Sequence, residues 1–194
     1  MKIAIFGGTF DPIHRAHLIM AREAMNQFGL GRVLFVPAAN PPHKASSTYA
    51  DYEDRFRMVE IACQGEPGFE PSRIEAGKRK SYTIWTIEKV KASLGAEDEL
   101  YFLIGADAFD EIQTWYRWQE VVAQVEFIVG TRPGHQYTAP PGAKVYRLDS
   151  LALPVSSSGL RERLACGEDP DQIPAAVLRY IREHGLYCSP SQVI

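Results

Sequence analysis

The sequence has little of what marks a membrane protein, a secreted protein or a disulfide-stabilised protein. No apolar run approaches the length of about 18–20 residues that a membrane-spanning helix needs. Its three cysteines, Cys63, Cys166 and Cys188, are scattered and have no CxxC spacing. This excludes a cysteine-based zinc cage and indicates a reducing compartment. Because the first apolar segment is also too short for a secretory signal, we expect a cytoplasmic protein.

An excess of positive charge is also missing. The 194 residues carry 21 lysines and arginines against 24 acidic residues, a formal net charge of −3. A broad nucleic-acid surface needs a basic excess, so no nucleic-acid partner is expected. The net charge does not exclude phosphate binding at one local site. The length predicts a single domain over 1–194, with a helical C-terminal part from about residue 155. The sequence is compatible with a homo-oligomer.

Apolar segments typical of buried strands alternate with segments of helical periodicity. The strands are expected at 2–6, 32–37, 69–76, 99–107, 125–134 and 143–149. The helices are expected at 16–28, 51–64, 81–95, 158–166 and 174–184, with Gly29, Gly95 and Gly185 as three of their stops. This alternation predicts an α/β fold, a Rossmann-like doubly wound parallel sheet with a small C-terminal helical segment.

Two common phosphate-binding motifs, GxxxxGK[ST] and GxGxxG, are absent. The first strand instead runs into GGTFDPIHRAHL, residues 7–18. Glycines let a ligand approach the backbone, and a helix N-terminus directs N–H groups at an anion. His14 and His17 share one helical face, where two imidazoles could hold phosphate oxygens. No third ligand follows at a useful spacing, so no protein metal site is expected.

This segment resembles the signature of the nucleotidyltransferase superfamily whose motif is His/Thr-x-Gly-His. More narrowly, nearly the whole chain resembles the bacterial nicotinate mononucleotide adenylyltransferases. The resemblance implies that this turn binds ATP through Gly7, Gly8, Thr9, Phe10, His14 and His17, with Asp11 close by.

Three later segments complete the implied ATP site. NPPHK follows the second strand, and its Asn40, His43 and Lys44 are expected to contact the nucleotide. Asp107 follows a buried strand, where a carboxylate can accept hydrogen bonds from ribose hydroxyls. In VSSSGLRERL one serine caps a helix, while Ser157, Ser158 and Arg161 match the family's Ser-Ser-Thr-x-x-Arg motif.

The implied site for nicotinate mononucleotide uses three further residues. In SYTIWT, Ser81 or Thr83 is expected to cap the helix, and Thr86 matches the threonine that seats this substrate in the family. Trp115 would stack on the pyridinium ring, whereas Trp118 is expected in the core. Arg132, at the end of a strand, matches an arginine near the acceptor.

The resemblance therefore implies transfer of AMP from ATP to nicotinate mononucleotide, with His14, His17, Lys44 and Arg161 in catalytic roles and Mg²⁺ arriving with ATP. Two alternatives remain: a pantetheine-phosphate-type adenylyltransferase, and a non-catalytic nucleotide-binding module with a drifted site. Three positions depart from the family pattern, namely Ala16 in place of glycine, Trp85 in place of a polar residue, and Ser158 in place of threonine.

Overall fold

A central parallel sheet organises the molecule, as seen in a computed structural model that describes residues 1–40, 49–77, 80–131, 136–149 and 155–188. Its strands in those ranges are β1 (Lys2–Gly8), β2 (Arg32–Pro37), β3 (Phe69–Pro71), β4 (Glu99–Gly105), β5 (Glu126–Thr131) and β6 (Val145–Asp149). They lie in the order β3-β2-β1-β4-β5-β6, and every neighbouring pair is parallel. The predicted doubly wound sheet is confirmed.

Helices cover both faces of this sheet. Their bounds are α1 (Arg15–Phe28), α2 (Tyr52–Cys63), α3 (Thr83–Ala92), α4 (Ala106–Asp110), α5 (Trp118–Gln124), α6 (Ser157–Ala165) and α7 (Ala175–Glu183), with a 3₁₀ turn at Ile112–Thr114. One core cluster contains buried side chains of α1, α2, α6 and α7, and the other contains those of α3, α4 and α5. The four central strands, β1, β2, β4 and β5, are largely buried, which explains why their sequences are almost continuously apolar.

The helix ends follow local chemistry, with one difference from the sequence prediction. Gly29 adopts the left-handed conformation (φ 66°) that ends α1, as expected. Gly95 was expected to end α3, but that prediction is wrong. The helix ends at Ala92, where the Ser93 hydroxyl donates to the carbonyl of Val90 at 2.7 Å. This side-chain hydrogen bond satisfies a terminal carbonyl before the glycine is reached.

Among the residues described, no helix is both long and apolar enough to span a bilayer.

Candidate active site

A cavity of about 260 Å³ opens at the carboxyl ends of β1, β2 and β4. The strand order changes direction between β1 and β4, and ligands of open α/β sheets bind at such a point. Fifteen of the described residues line the cavity: Ile5, Gly7, Gly8, Thr9, Val36, Ala38, Glu75, Ser81, Tyr82, Thr83, Thr86, Phe102, Ala108, Trp115 and Tyr116. Five residues expected from the sequence, Gly7, Gly8, Thr9, Thr86 and Trp115, therefore share one cavity.

Trp115 forms an aromatic wall of this cavity. Its ring meets the edge of Phe102, with 6.0 Å between ring centroids, and the side chain packs against the core. Trp118 packs against the same core cluster without lining the cavity, as expected for it. An indole held in this way presents a flat apolar surface to a planar ring.

The two glycines after β1 matter for close approach. A Cβ built on Gly8 would lie 3.0 Å from the ring of Phe10, and one on Gly7 would lie 3.3 Å from Phe102. Neither glycine has a positive φ. A side chain at either position would therefore crowd an aromatic ring, that of Phe10 at Gly8 and that of Phe102 in the cavity wall at Gly7.

The turn that follows is held by the carboxylate of Asp11, which is buried. Its oxygens accept hydrogen bonds from the backbone N–H groups of Tyr49 and Ala50 at 2.8 and 3.1 Å. The hydroxyl of Tyr187 also donates to it. Phe10, next to it, has a left-handed backbone (φ 50°) and is also buried. Asp11 lies close to the expected ATP side, and its carboxylate joins three segments of the chain.

His14 and His17 form a stacked pair at the start of α1. Their ring centroids are 3.7 Å apart with an interplanar angle of 22°. The backbone N–H of His14 donates to Nδ1 of His17 at 3.2 Å, so a neutral His17 carries its proton on Nε2. Nδ1 of His14 is buried and has no hydrogen-bond partner among the described residues.

Burial keeps both imidazoles neutral. It lowers the pKa of His14 from 6.5 to about 4. The pKa of His17 is lowered well below its usual value, first by burial and then by the neighbouring His14. Stacking two rings at this distance disfavours a positive charge on either. The pair offers polarised N–H donors at neutral pH, with no fixed cation.

The backbone at the start of α1 is less available to an anion than the sequence suggests. The N–H of His14 is engaged by His17, and the N–H of Arg15 donates to the carbonyl of Gln172 at 2.8 Å. The expectation that this helix start directs unpaired N–H groups at a phosphate is therefore only partly met. The side chains of the histidines carry more of the available hydrogen-bonding capacity than the helix end does.

The start of α6 packs beside this turn. Ser156 is its N-cap and accepts from the N–H of Gly159 at 3.2 Å, while the Ser157 hydroxyl donates to the carbonyl of Pro12 at 3.1 Å. Ser158 is exposed, and its hydroxyl lies 3.1 Å from that of Ser156. A serine in place of threonine at this position keeps the hydroxyl and its partner.

Arg161, one helical turn further, points back to the same turn. It donates to the backbone carbonyl of Asp11 at 2.7 Å, and its guanidinium lies 4.2 Å from the centroid of the Tyr49 ring. A guanidinium has five N–H donors in a fixed fork, so one bond to a carbonyl leaves others for an anion. The structure thus brings Ser157 and Arg161 to the turn that carries His14 and His17.

Two further predicted residues lie outside the lining of this cavity. Asn40 is exposed, and Asp107 is exposed in the first turn of α4 after β4. Neither lines the cavity described above. His43, Lys44 and Arg132, also predicted from the sequence, lie outside the described residues.

Ser81 or Thr83 was expected to cap α3, but neither does. Ser81 instead contacts the segment after β2. Its hydroxyl accepts hydrogen bonds from the backbone N–H groups of Ala39 and Asn40, at 2.8 and 3.1 Å. Its own N–H donates to the carbonyl of Asn40 at 3.0 Å. The N-cap of α3 is Tyr82, which makes no side-chain cap, and Thr83 is already helical. Ser81 therefore joins the segment after β2 to the start of α3.

Sequence reasoning missed Arg55, which is fully buried in α2. Its guanidinium donates to the carbonyls of Thr9, Ala38 and Ala50 at 2.7, 2.8 and 3.2 Å. Burial lowers its pKa, and Asp11 has the largest opposing effect. Nothing in the local pattern distinguishes it from the exposed Arg57, since both lie in an ordinary amphipathic helix. Arg55 fixes the backbone where β1 and β2 leave the sheet.

Comparison with known proteins identifies the family. Residues 5–163 match the family model described as Cytidylyltransferase-like. A relative from Solibacter usitatus, named "Probable nicotinate-nucleotide adenylyltransferase", is 58% identical over 187 residues, which cover 96% of this chain and 100% of the relative. The chain belongs to the nicotinate-nucleotide adenylyltransferase family. A Bacillus pumilus relative of the same name is 40% identical over 96% of this chain and 98% of its own length.

Solved structures show the same fold as this adenylyltransferase. The Plasmodium falciparum nicotinic acid mononucleotide adenylyltransferase complexed with NaAD superimposes with a TM-score of 0.77 at 22% sequence identity. The superposition covers 96% of this chain and 97% of that one. The family assignment disfavours the pantetheine-phosphate-type alternative drawn from the sequence.

The structure shows where two of the departures from the family pattern, Ala16 and Trp85, lie in this adenylyltransferase. Ala16 is buried on the inner face of α1. Trp85 is 38% exposed, and its ring meets that of Tyr82 edge-on, with 4.8 Å between the ring centroids. The ring of Tyr116 also meets it edge-on, at 6.1 Å between centroids. The tryptophan thus extends an aromatic surface outside the cavity, and it displaces none of the residues that line it.

The described residues contain no cluster of three or more histidine, cysteine or acidic side chains arranged to hold a metal ion. A magnesium ion bound to ATP oxygens keeps most of its ligands from phosphates and water. Such an ion needs no cage of protein carboxylates, so the side chains present are compatible with Mg-ATP as a substrate.

Proposed function

We propose that this adenylyltransferase transfers AMP from Mg-ATP to the 5′-phosphate of nicotinate mononucleotide, giving deamido-NAD and pyrophosphate. One observation supports this most directly. The cavity lined by Thr86 and Trp115 also includes Gly8 and Thr9, which lead along the chain directly into the turn before the two histidines. A flat ring binding at one end and phosphate donors at the other suit a reaction between two nucleotides.

The acceptor would bind in the cavity, with its pyridinium ring against Trp115. A cation over an indole gains about 0.5–2 kcal/mol. The first turn of α3 lies in the cavity wall at Tyr82 and Thr83 and has no side-chain cap. The positive end of that helix dipole favours a negative group such as the nicotinate carboxylate.

The triphosphate would lie over the turn and the start of α6. An oxygen of the acceptor phosphate forms a bond to the α-phosphorus of ATP, and the bond from that phosphorus to the bridging oxygen of pyrophosphate breaks. The attacking phosphate is already ionised, so no general base is required. Catalysis is then positioning and charge stabilisation.

The chain's own donors have separate roles in this proposal. His17, with its proton on Nε2, would donate to the α-phosphate as charge builds there, and His14 would hold the neighbouring phosphate oxygens. Arg161 would neutralise the leaving pyrophosphate. The same role is proposed for Lys44.

Pyrophosphate release from Mg-ATP tests the proposal, with nicotinate mononucleotide and its amide form as competing acceptors. We expect release with the acid form at a much higher kcat/KM. Comparable rates would keep the chemistry and remove the preference for the acid. ATP binding without release with either acceptor would instead favour a non-catalytic nucleotide-binding module.

A further inference from the structure

Glu75 lies in the wall of the cavity, in the loop between β3 and α3. Its Oε1 accepts a hydrogen bond from the hydroxyl of Thr86, with 2.5 Å between the two oxygens. Thr86 is 4% exposed, so this hydrogen bond is shielded from solvent. The pair joins the loop after β3 to the first turns of α3, and both residues line the cavity.

The other carboxylate oxygen of Glu75 is unsatisfied. Oε2 is buried and has no hydrogen-bond partner within the described parts of the chain. A buried acceptor without a donor is unfavourable by about 1–3 kcal/mol, and native proteins retain few of them. An acceptor of this kind in a cavity wall points to a ligand that brings a donor.

The Glu75–Thr86 pair can only accept hydrogen bonds from a ligand. A carboxylate has no proton to give, and the single hydroxyl proton of Thr86 is already committed to Glu75. An ionised carboxylate or phosphate of a ligand would find no donor here and would meet like charge. The pair therefore selects for hydroxyl or amide donors.

Nicotinate mononucleotide has few such donors. Its ring carboxylate and its phosphate are ionised at neutral pH, and its pyridinium nitrogen carries no proton. Only the two ribose hydroxyls remain. Carboxylates that accept from ribose hydroxyls recur in nucleotide sites of α/β folds.

We propose that Glu75, through Oε2 and with Thr86 oriented by Oε1, binds the ribose hydroxyls of the acceptor mononucleotide. This inference rests on the proposed function, because it takes the acceptor to be a mononucleotide. It makes Glu75 a binding residue for sugar identity. Recognition of the nicotinate carboxylate then falls to a different wall of the cavity.

The test compares nicotinate mononucleotide with its 2′-deoxy and 3′-deoxy analogues as acceptors. For the wild-type enzyme we expect kcat/KM to fall about 10- to 100-fold for at least one analogue, the effect of losing a hydrogen bond to a charged group. The ratio of kcat/KM for nicotinate mononucleotide to kcat/KM for that analogue is therefore well above one in the wild type. In Glu75→Ala this ratio should approach one. Ring charge is identical in all three acceptors, so a general charge effect of Glu75 cancels in the ratio.

Glu88 offers the matched control, because it is an exposed glutamate on α3 whose removal changes the net charge equally. Glu88→Ala should keep the wild-type ratio. Thr86→Val should lower the ratio, since the methyl group cannot accept a hydrogen bond. If Glu75→Ala does not fold, Glu75→Gln replaces it, and its ratio should lie below that of the wild type.

Two results would overturn the inference: a wild-type ratio near one, or a Glu75→Ala or Glu75→Gln ratio equal to the wild-type ratio. Failure of the proposed function shows itself separately, as no pyrophosphate release by the wild type with any acceptor. In that case calorimetric Kd values for the same three mononucleotides decide. Tighter binding of the ribose form than of the deoxy forms, lost in the Glu75 variant, would support the ribose site. Equal binding of all three mononucleotides by the wild type, or no binding, would contradict it.

Discussion

The hydroxyl of Tyr187 donates to Oδ1 of Asp11 at 2.6 Å, although 176 positions separate the two residues in the chain. Burial and the carboxylate both raise the pKa of Tyr187, so it remains a donor. The segment after α7 is thereby joined to the turn that begins α1, next to the histidine pair.

Tyr187→Phe should lower the free energy of unfolding by about 1–3 kcal/mol, because a buried carboxylate oxygen loses one of its two donors, the other being the N–H of Ala50. Urea denaturation measures this. Tyr146→Phe, which removes a hydroxyl from an exposed pair with Glu126, should change stability by less than about 0.5 kcal/mol. Equal effects in the two variants would contradict a special role for the link to Asp11.

His17→Ala should lower kcat for pyrophosphate release by about 10²–10³, the usual effect of losing one donor to the transition state. Its neutral ring, with the proton on Nε2, is the donor in question. His184→Ala, on an exposed histidine that ends α7, serves as the control and should leave kcat unchanged. Unchanged turnover in a folded His17→Ala variant would remove this role.

Stability should fall as pH drops from about 6.5 toward 4. Because the pKa of His14 is lowered from 6.5 to about 4, the unfolded chain binds a proton in this window that the folded protein does not. The loss amounts to up to about 3 kcal/mol for this group. The free energy of unfolding, measured across this pH window, should vary less in His14→Gln than in the wild type. In His184→Gln it should vary as much as in the wild type. A His14→Gln curve as steep as that of the wild type would assign the effect elsewhere.

Arg55→Met should lower the free energy of unfolding by at least about 3 kcal/mol, since three backbone carbonyls lose a buried donor. The exposed Arg57 on the same helix makes an ion pair with Glu60, and Arg57→Met should change stability by about 1 kcal/mol or less. Denaturant titration separates the two. A similar loss of unfolding free energy in both variants would show that the buried hydrogen bonds of Arg55 do not stabilise the fold more than an exposed ion pair does.

Trp115→Ala should raise KM for nicotinate mononucleotide about 2- to 30-fold and leave KM for ATP unchanged, because a stacked cation contributes about 0.5–2 kcal/mol. Trp115→Phe should have a smaller effect. Steady-state kinetics with each substrate varied in turn measure both constants. A matching rise in KM for ATP would mean that the indole supports the whole site instead of the acceptor.

The sequence predicted what depends on local pattern and on the first motif. Most strands and helices were found within a few residues, because apolar runs and helix stops are local signals. The strand expected at 69–76 is the exception, since β3 ends at Pro71. Thr86 and Trp115 were placed together in advance only through the family resemblance. Their shared cavity depends on how β1, β2 and β4 pack, which no short segment encodes.

What could not be predicted depends on contacts between distant segments. Arg55 and Glu75 look like ordinary polar residues of a helix and a loop, and their importance comes from burial by other segments. The N–H groups at the start of α1 were expected to face an anion, yet the N–H of Arg15 donates to the carbonyl of Gln172. Ser81 resembles a helix cap in sequence, but its hydroxyl accepts from Ala39 and Asn40.

The position of the cavity between β1 and β4 has a consequence for folding. These strands pair with Ile3 opposite Leu100 and Phe6 opposite Leu103, so the cavity walls come from contacts between residues nearly a hundred positions apart. Contacts of such long range close late and slowly compared with local ones. A compact chain whose helices have formed but whose sheet is still divided has no acceptor cavity. Substrate binding therefore stabilises only the state with the central pairing complete.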